Sequence, residues 1–192
     1  MNREPINLIY FGRITESKNV DVVIKVLSIL IQAGYHAKLD LIGGCSQDYK
    51  RFLIKCEEKE SIPVGKVCFH GKHDFDYISK QLTAAHYFVF PSTERKEGHS
   101  NSLTEAMAFG VVPIVSRAGF NESICGDNRL VVGEFTPQGF ADRIIEIETM
   151  GEWDKWSHYV YKRVVDNYTE KQALMNLKQV VTALEEKDVT SY

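Results

Sequence analysis

Short apolar segments alternate along the chain with segments whose apolar residues recur at helical spacing. The apolar segments are hydrophobic throughout, which is typical of strands that are buried on both faces of a sheet. The pattern predicts six strands, at residues 6–11, 38–42, 67–69, 87–90, 112–115 and 129–132. It predicts helices between and after them, at residues 19–33, 49–59, 77–85, 103–109, 139–150, 153–167 and 170–186.

Strands that alternate with helices in this way indicate an α/β protein, with a parallel sheet of about six strands and helices on both faces. Ligands of such sheets bind at the carboxyl ends of the strands, near a reversal of the strand order. Four segments directly follow strands, at residues 12–18, 43–48, 70–72 and 92–102. We therefore expect the binding residues in these segments.

The composition narrows the class of protein. The chain has 192 residues, of which 44% are hydrophobic and 26% are charged, as in an ordinary globular domain. Its net charge of −3 lacks the basic excess of nucleic-acid-binding proteins, so we expect no nucleic-acid partner. No segment reaches the roughly 20 apolar residues of a membrane span, and no signal region precedes the first strand. The four cysteines show no metal-ligand spacing, so we expect reduced thiols and a cytoplasmic location.

A polar loop and a helix of small residues follow the fourth strand, within residues 91–116. A helix that opens with glycine, serine and asparagine presents backbone N–H groups and the positive end of its dipole, which favours a bound anion. Glu97 in the loop and Glu105 in the helix have seven residues between them. A carboxylate can accept hydrogen bonds from both hydroxyls of a vicinal diol, as in a sugar or ribose. Alternatively, Ser102 and Glu105 form a capping box, and Glu97 is only a surface charge.

Two cations flank the loop between the first strand and the first helix. Arg13 can chelate phosphate oxygens with its planar guanidinium, and Lys18 places a point charge at the helix start. A cation at a helix N-terminus is electrostatically unfavourable unless an anion binds there, so the pattern suggests a phosphate site. In the alternative interpretation, Arg13 and Lys18 pair with Glu16 or Asp21 on the surface.

Taken together and in this order, the motifs resemble the C-terminal, nucleotide-sugar-binding domain of the GT-B retaining glycosyltransferases of family 4, the glycosyl transferases group 1. The motifs are Gly-Arg with the later lysine at residues 12–18, Pro-Ser at 91–92, Glu-Gly at 97–98, Glu-Ala-Met-Ala at 105–108 and Gly110. The two glutamates with seven residues between them are that family's signature. The resemblance covers residues 6–167 and implies a Rossmann-like domain over residues 1–168. Residues 169–192 would form a C-terminal helix that crosses to a missing N-terminal domain.

The resemblance implies retaining transfer of a sugar from a UDP-, GDP- or ADP-sugar, with no cofactor and no metal. Arg13 and Lys18 would hold the donor diphosphate, Glu97 the hydroxyls of the transferred sugar, and Glu105 the ribose diol. Glu97, Arg13 and Lys18 would be the catalytic residues. The implied donor-binding set is Gly12, Arg13, Lys18, Gly71, Glu97, Gly98, His99, Ser100, Asn101, Ser102, Leu103 and Glu105.

The resemblance also bears on the acceptor and the biological role. His99 stands where many members have an aromatic residue, and residues 100–102 replace an apolar stretch. The sequence of residues 97–101 is similar to that of members that assemble bacterial surface polysaccharides. The missing N-terminal domain would bind an acceptor glycan or lipid-linked saccharide, and the full enzyme could associate peripherally with a membrane. We expect the isolated domain to transfer little sugar. The alternatives are a non-catalytic module that binds nucleotide sugars or a partner, and a GT-B sugar-nucleotide epimerase.

Three further patterns have simpler interpretations. Asp74 and Asp76 match an Asp-x-Asp metal motif, but they open a predicted helix, where aspartates cap the backbone. His70 and His73 lack a nearby third ligand for zinc. The aromatic residues of the C-terminal helices, such as Trp156, are interpreted as packing residues.

Overall fold

Five parallel strands form one sheet in the part of the chain that the computed structural model describes, residues 5–94 and 98–172. The strands are β1 (Ile6–Phe11), β2 (Ala37–Ile42), β3 (Val67–Gly71), β4 (Tyr87–Phe90) and β5 (Val112–Val115). Their order is β3-β2-β1-β4-β5, and all four neighbouring pairs run parallel. The order reverses between β1 and β4, so the ends of these two strands form the switch point where such sheets bind ligands.

Seven α-helices connect and flank the described strands: α1 (Val20–Gln32), α2 (Gln47–Lys59), α3 (Phe75–Leu82), α4 (Asn101–Ala108), α5 (Asn121–Cys125), α6 (Pro137–Met150) and α7 (Trp153–Asn167). Parallel crossovers are right-handed, so the helices before and after the reversal of strand order lie on opposite faces of the sheet. On one face α1 packs against α2 and α6, and on the other α4 packs against α7.

Strands β1, β2, β4 and β5 are largely buried because helices cover both faces of the sheet, whereas β3, at one edge, is only half-buried. In β1, Leu8 is fully buried and pairs with Leu39 of β2 on one side and Tyr87 of β4 on the other. At roughly 25 cal/mol per Å² of apolar surface, burial of such strands is the main contribution to stability. The apolar runs of the sequence therefore identify five of the six predicted strands.

The sixth predicted strand, residues 129–132, is wrong. The carboxylate of Asp127 accepts a hydrogen bond from the backbone N–H of Arg129, and the chain turns into a short 3-10 helix over Asn128–Leu130. Only a single parallel bridge, between Val115 and Val131, extends the sheet there. The local cap therefore prevails over the apolar character of the segment.

Several other expectations can be compared with the structure. Asp74 caps α3, since its Oδ1 accepts from the backbone N–H of Tyr77 at 3.0 Å, so the capping interpretation is confirmed. Trp156 is buried, as expected of a packing residue. The predicted C-terminal element at 169–192 falls largely outside the described residues, from position 173 onward. Within the described ranges, no helix is both long and apolar enough to cross a membrane.

Candidate functional site

The two segments that the sequence singles out meet at the switch point. A cavity of about 330 Å³ lies between Gly12, Arg13 and Lys18 on one side and residues 99–102, at the start of α4, on the other. The segments come together because β1 and β4 are hydrogen-bonded neighbours in the sheet. Each segment follows one of these strands at its carboxyl end.

Lys18 is the buried cation of this cavity. It ends a short 3-10 helix, Glu16–Lys18, and only 5% of the residue is exposed. Its ammonium donates to Glu94 Oε2 at 3.0 Å and lies 3.5 Å from Ser92 Oγ. Asn19, in the left-handed conformation (φ 49°), then begins α1. Lys18 therefore precedes the N-terminus of α1, as the sequence suggested, and carries its charge into the cavity wall.

Arg13 is the exposed cation. Its side chain is 76% exposed, and its Nη2 lies 4.0 Å from Glu94 Oε2. The hydroxyl of Tyr10, on β1, donates to the carbonyl of Arg13 at 2.8 Å and fixes the backbone of the loop. The side chain is therefore anchored at its base and can reach a ligand at its tip.

Glu94 is the residue of this site that the sequence analysis missed. Its Oε1 accepts from Ser17 Oγ at 2.7 Å, and its Oε2 accepts from Lys18. Hydrogen bonds from Ser17 and then Lys18 lower the pKa of this carboxyl below its ordinary value. The expected alternative partner Asp21 pairs with Lys25 instead, at 2.8 Å. Glu94 lies just after β4, which marks it in the sequence as a candidate. Only the pairing of β4 with β1 shows that it lies beside the loop after β1.

Backbone and amide contacts join the two segments independently of the charges. The side-chain amide of Asn19 donates to the carbonyl of Pro91 at 2.9 Å and to Thr93 Oγ1 at 3.0 Å. The backbone N–H of Thr93 donates to the carbonyl of Ser17 at 3.2 Å. The site is thus held in place by neutral hydrogen bonds as well as by the ion pairs.

The start of α4 forms the other side of the cavity. The helix begins at Asn101 with Ser100 at the N-cap, and the Ser100 side chain caps no backbone N–H of the described helix. Its hydroxyl lies 3.1 Å from that of Ser102, inside the first turn. This start excludes the capping box with Ser102 at its head, because Ser102 is already helical.

The remaining predicted donor-binding residues have different positions. Glu105 is half-buried on α4, where burial raises the pKa of its carboxyl, and it does not line this cavity. Leu103 is fully buried, so its side chain belongs to the core. Gly98 is exposed at the edge of the loop, whereas Glu97 lies outside the described residues. Gly71 ends β3 and lines a smaller neighbouring cavity of about 240 Å³.

A second cavity of about 420 Å³ adjoins the first and shares Gly12 and Arg13 with it. It continues along the ends of β2 and β3, where it is lined by Ile42, Gly43, Gly44, Lys72, His73 and Ile78. Any Cβ at Gly43 would lie 1.7 Å from the carbonyl oxygen of Gly12. The close approach of these two loops therefore requires glycine at position 43.

A hydrogen-bonded chain supports the wall of the second cavity. His70 Nε2 lies 2.7 Å from Asp40 Oδ1, and the hydroxyl of Tyr77 lies 2.8 Å from His70 Nδ1. If Asp40 accepts from Nε2–H, Tyr77 donates to Nδ1. The ring of His73 stacks on that of Tyr77 at 3.7 Å. Within the described residues no cluster of three metal-ligating side chains includes these histidines, which form structural contacts.

Residues 1–163 match the family described as glycosyl transferases group 1. Because this match covers most of the chain, the protein belongs to that family. Its fold is that of the Rossmann-like domains of GT-B glycosyltransferases. No curated protein sequence matches this chain.

Solved structures show the same fold at low sequence identity. Sucrose-phosphate synthase (tll1590) from Thermosynechococcus elongatus has a TM-score of 0.77 and 19% identity over 96% of this chain and 46% of that one. Alr3699/HepE from Anabaena, in complex with UDP and glucose, has a TM-score of 0.71 and 18% identity over 95% of this chain and 48% of that one. The C-terminal domain of a glycosyl transferase group 1 family protein (LpcC) from Francisella tularensis has a TM-score of 0.72 and 20% identity, over 86% and 87% of the two chains. This chain thus spans about half the length of the first two.

Proposed function

We propose that this chain is the donor-binding, C-terminal domain of a retaining family 4 glycosyltransferase that uses a nucleoside-diphosphate sugar. The observation that carries the proposal is the meeting of Arg13, Lys18 and the start of α4 in one cavity at the switch point. Two cations and a helix N-terminus provide a site for a pyrophosphate. The similarity to a separately solved C-terminal domain supports the proposed place in a longer enzyme.

The chemistry follows from the charge that develops during transfer. When the bond between sugar and phosphate breaks, negative charge accumulates on the departing diphosphate. Arg13 and Lys18 stabilise that charge from fixed positions, without a metal in this proposal. Removal of one such preorganised donor typically costs about 3 kcal/mol of barrier.

The sugar and the nucleoside would occupy the two sides of the diphosphate. Glu97 binds hydroxyls of the transferred sugar in this proposal, and Glu105 binds the ribose diol. The second cavity, beside Gly43 and Lys72, has a volume of about 420 Å³ and would receive the nucleobase next to Arg13. The similarity to Alr3699/HepE, solved with UDP and glucose, makes UDP-sugars the first donors to test. A role in bacterial polysaccharide synthesis rests on residues 97–101, which are similar to those of members with that role.

The test is nucleotide binding by the chain as it stands. Isothermal titration calorimetry with UDP, GDP and ADP is expected to show binding of at least one, at micromolar to millimolar affinity. The double variant Arg13→Ala/Lys18→Ala is expected to abolish it. The matched control Arg143→Ala/Lys162→Ala removes two cations that pair with acidic residues on the helices α6 and α7, and it should bind as the wild type does. If the wild type binds none of the three nucleotides, the proposal is wrong.

A further inference from the structure

The cations of the site already hold an anion that belongs to the protein. Both carboxylate oxygens of Glu94 are used: Oε1 accepts from Ser17 at 2.7 Å, and Oε2 accepts from Lys18 at 3.0 Å. Oε2 is also 4.0 Å from the guanidinium of Arg13. Glu94 thus contacts the same two cations that the proposed function assigns to the donor diphosphate.

The carboxylate of Glu94 compensates the charge of the buried Lys18 ammonium. The side chain of Lys18 is only 7% exposed, and an ammonium that is buried without a counter-charge carries a large desolvation penalty. A nearby carboxylate offsets this penalty. The side chain of Glu94 is 28% exposed and therefore lies at the edge of the site. It can turn into solvent if another anion binds the cations.

The backbone around Glu94 does not depend on the carboxylate. Its own N–H lies 3.4 Å from Ser92 Oγ, and the preceding residue, Thr93, is bonded through its N–H to the carbonyl of Ser17. Asn19 holds the same segment through Pro91 and Thr93. A neutral side chain of the same shape at position 94 should therefore leave the loop in place.

We propose that Glu94 is an internal counter-ion that holds Arg13 and Lys18 before the donor binds and competes with the donor's diphosphate for them. This inference rests on the proposed function, because it assumes that a diphosphate binds these cations. Glu94 lowers the affinity for phosphates and leaves the binding of the nucleoside unchanged. The affinity of the site is thus set by a carboxylate that lies outside the family's paired glutamates.

The experiment compares Glu94→Gln with the wild type in calorimetric titrations. The ligands are inorganic pyrophosphate, the tightest-binding of UDP, GDP and ADP, and the nucleoside of that diphosphate. Loss of one negative charge beside two cations is expected to tighten diphosphate and pyrophosphate binding about fivefold. The nucleoside should bind equally to both proteins. The gain should shrink as salt rises, since salt screens the partly exposed charges.

The matched control is Glu122→Gln, which makes the same change of net charge at an exposed carboxylate paired with Arg117. It should leave diphosphate affinity unchanged, and an equal gain there would overturn the inference. Unchanged diphosphate binding in Glu94→Gln would also overturn it, because Glu94 would then not compete with the ligand. Weaker binding would overturn it too, because Glu94 would then orient the cations for the ligand. Glu94→Ala tests the same point if the glutamine variant fails to fold.

The inference can fail separately from the proposed function. If the wild type binds no diphosphate, the proposed function is wrong and the inference falls with it. If the wild type binds a diphosphate and neither Glu94 variant binds it more tightly, only the inference is wrong.

Discussion

At the residue scale, one glycine controls the distance between the loops that follow β1 and β2. A Cβ at Gly43 would overlap the carbonyl oxygen of Gly12, the residue next to Arg13, whereas a Cβ at Gly44 meets nothing within 4 Å. Backbone cannot give way as the end of a long side chain can. A methyl group at position 43 must therefore displace the loop that carries Arg13.

We expect Gly43→Ala to lower the free energy of unfolding by about 1–3 kcal/mol, the usual range for overpacking. It should also weaken nucleotide diphosphate binding, because Arg13 moves with the loop. Gly133→Ala is the matched control, because a Cβ there meets nothing within 4 Å and the residue lines neither cavity, so it should keep both properties. Chemical denaturation and calorimetry measure the two effects, and equal behaviour of the two variants would contradict this account of the loop contact.

At the element scale, side chains of α7 donate hydrogen bonds to the backbone carbonyls at the C-terminal end of the short helix α5. Arg163 donates to the carbonyls of Ile124 and Ser123, at 2.6 and 2.5 Å. The hydroxyl of Tyr159 donates to the carbonyl of Cys125 at 3.2 Å. Three carbonyls that a helix end leaves without backbone partners are thus bonded by side chains of α7.

The C-terminal end of α7 lies beside the candidate site. Tyr168 follows α7, its hydroxyl lies 3.3 Å from the carbonyl oxygen of Ser123, and its ring lies 5.0 Å from that of His99. His99 lines the cavity that also contains Arg13 and Lys18. The contact links the loop before α4 to the helix pair α5 and α7.

We expect Tyr168→Leu to weaken nucleotide diphosphate binding severalfold, because the ring that positions His99 is lost. Tyr168→Phe keeps the ring and should bind nearly as the wild type does. In a double-mutant cycle with His99→Ala, the effects of Tyr168→Leu should be non-additive, as for residues in contact. Tyr161→Leu, at a half-exposed position of α7, is the control. Additive losses measured by calorimetry would show that Tyr168 acts through general stability.

At the scale of the whole molecule, the sequence predicts the layers better than the contacts between them. The inner strands β1 and β4 are identifiable because they are largely buried and apolar, whereas the edge strand β3 is only half-buried. The predicted strand at residues 129–132 is wrong because a side-chain cap at Asp127 turns the chain. Helix α5 is missed because a helix of five residues is too short to show a period.

The candidate site, like the fold, is predicted from the sequence only in part. Arg13, Lys18 and the start of α4 are visible in the sequence because each follows a strand. Their partner Glu94 is not, because its contacts span 76 and 77 positions and exist only when β1 lies beside β4. Strand order depends on how the crossovers pack, and apolar periodicity along one strand carries no information about it.

The strand order also defines which parts of the molecule a bound nucleotide should protect. A diphosphate at the switch point contacts segments from both halves of the sheet at once, so amide hydrogen exchange should slow together at residues 12–18, 43–44 and 98–103. Exchange should stay unchanged at residues 117–135, which lie beyond β5 and serve as the internal control. Such a pattern follows from ligand binding to the native state, which reduces local opening wherever the ligand bridges segments. Measured with the tightest-binding of UDP, GDP and ADP, protection of the β5 side alone would place the nucleotide elsewhere and contradict a site between β1 and β4.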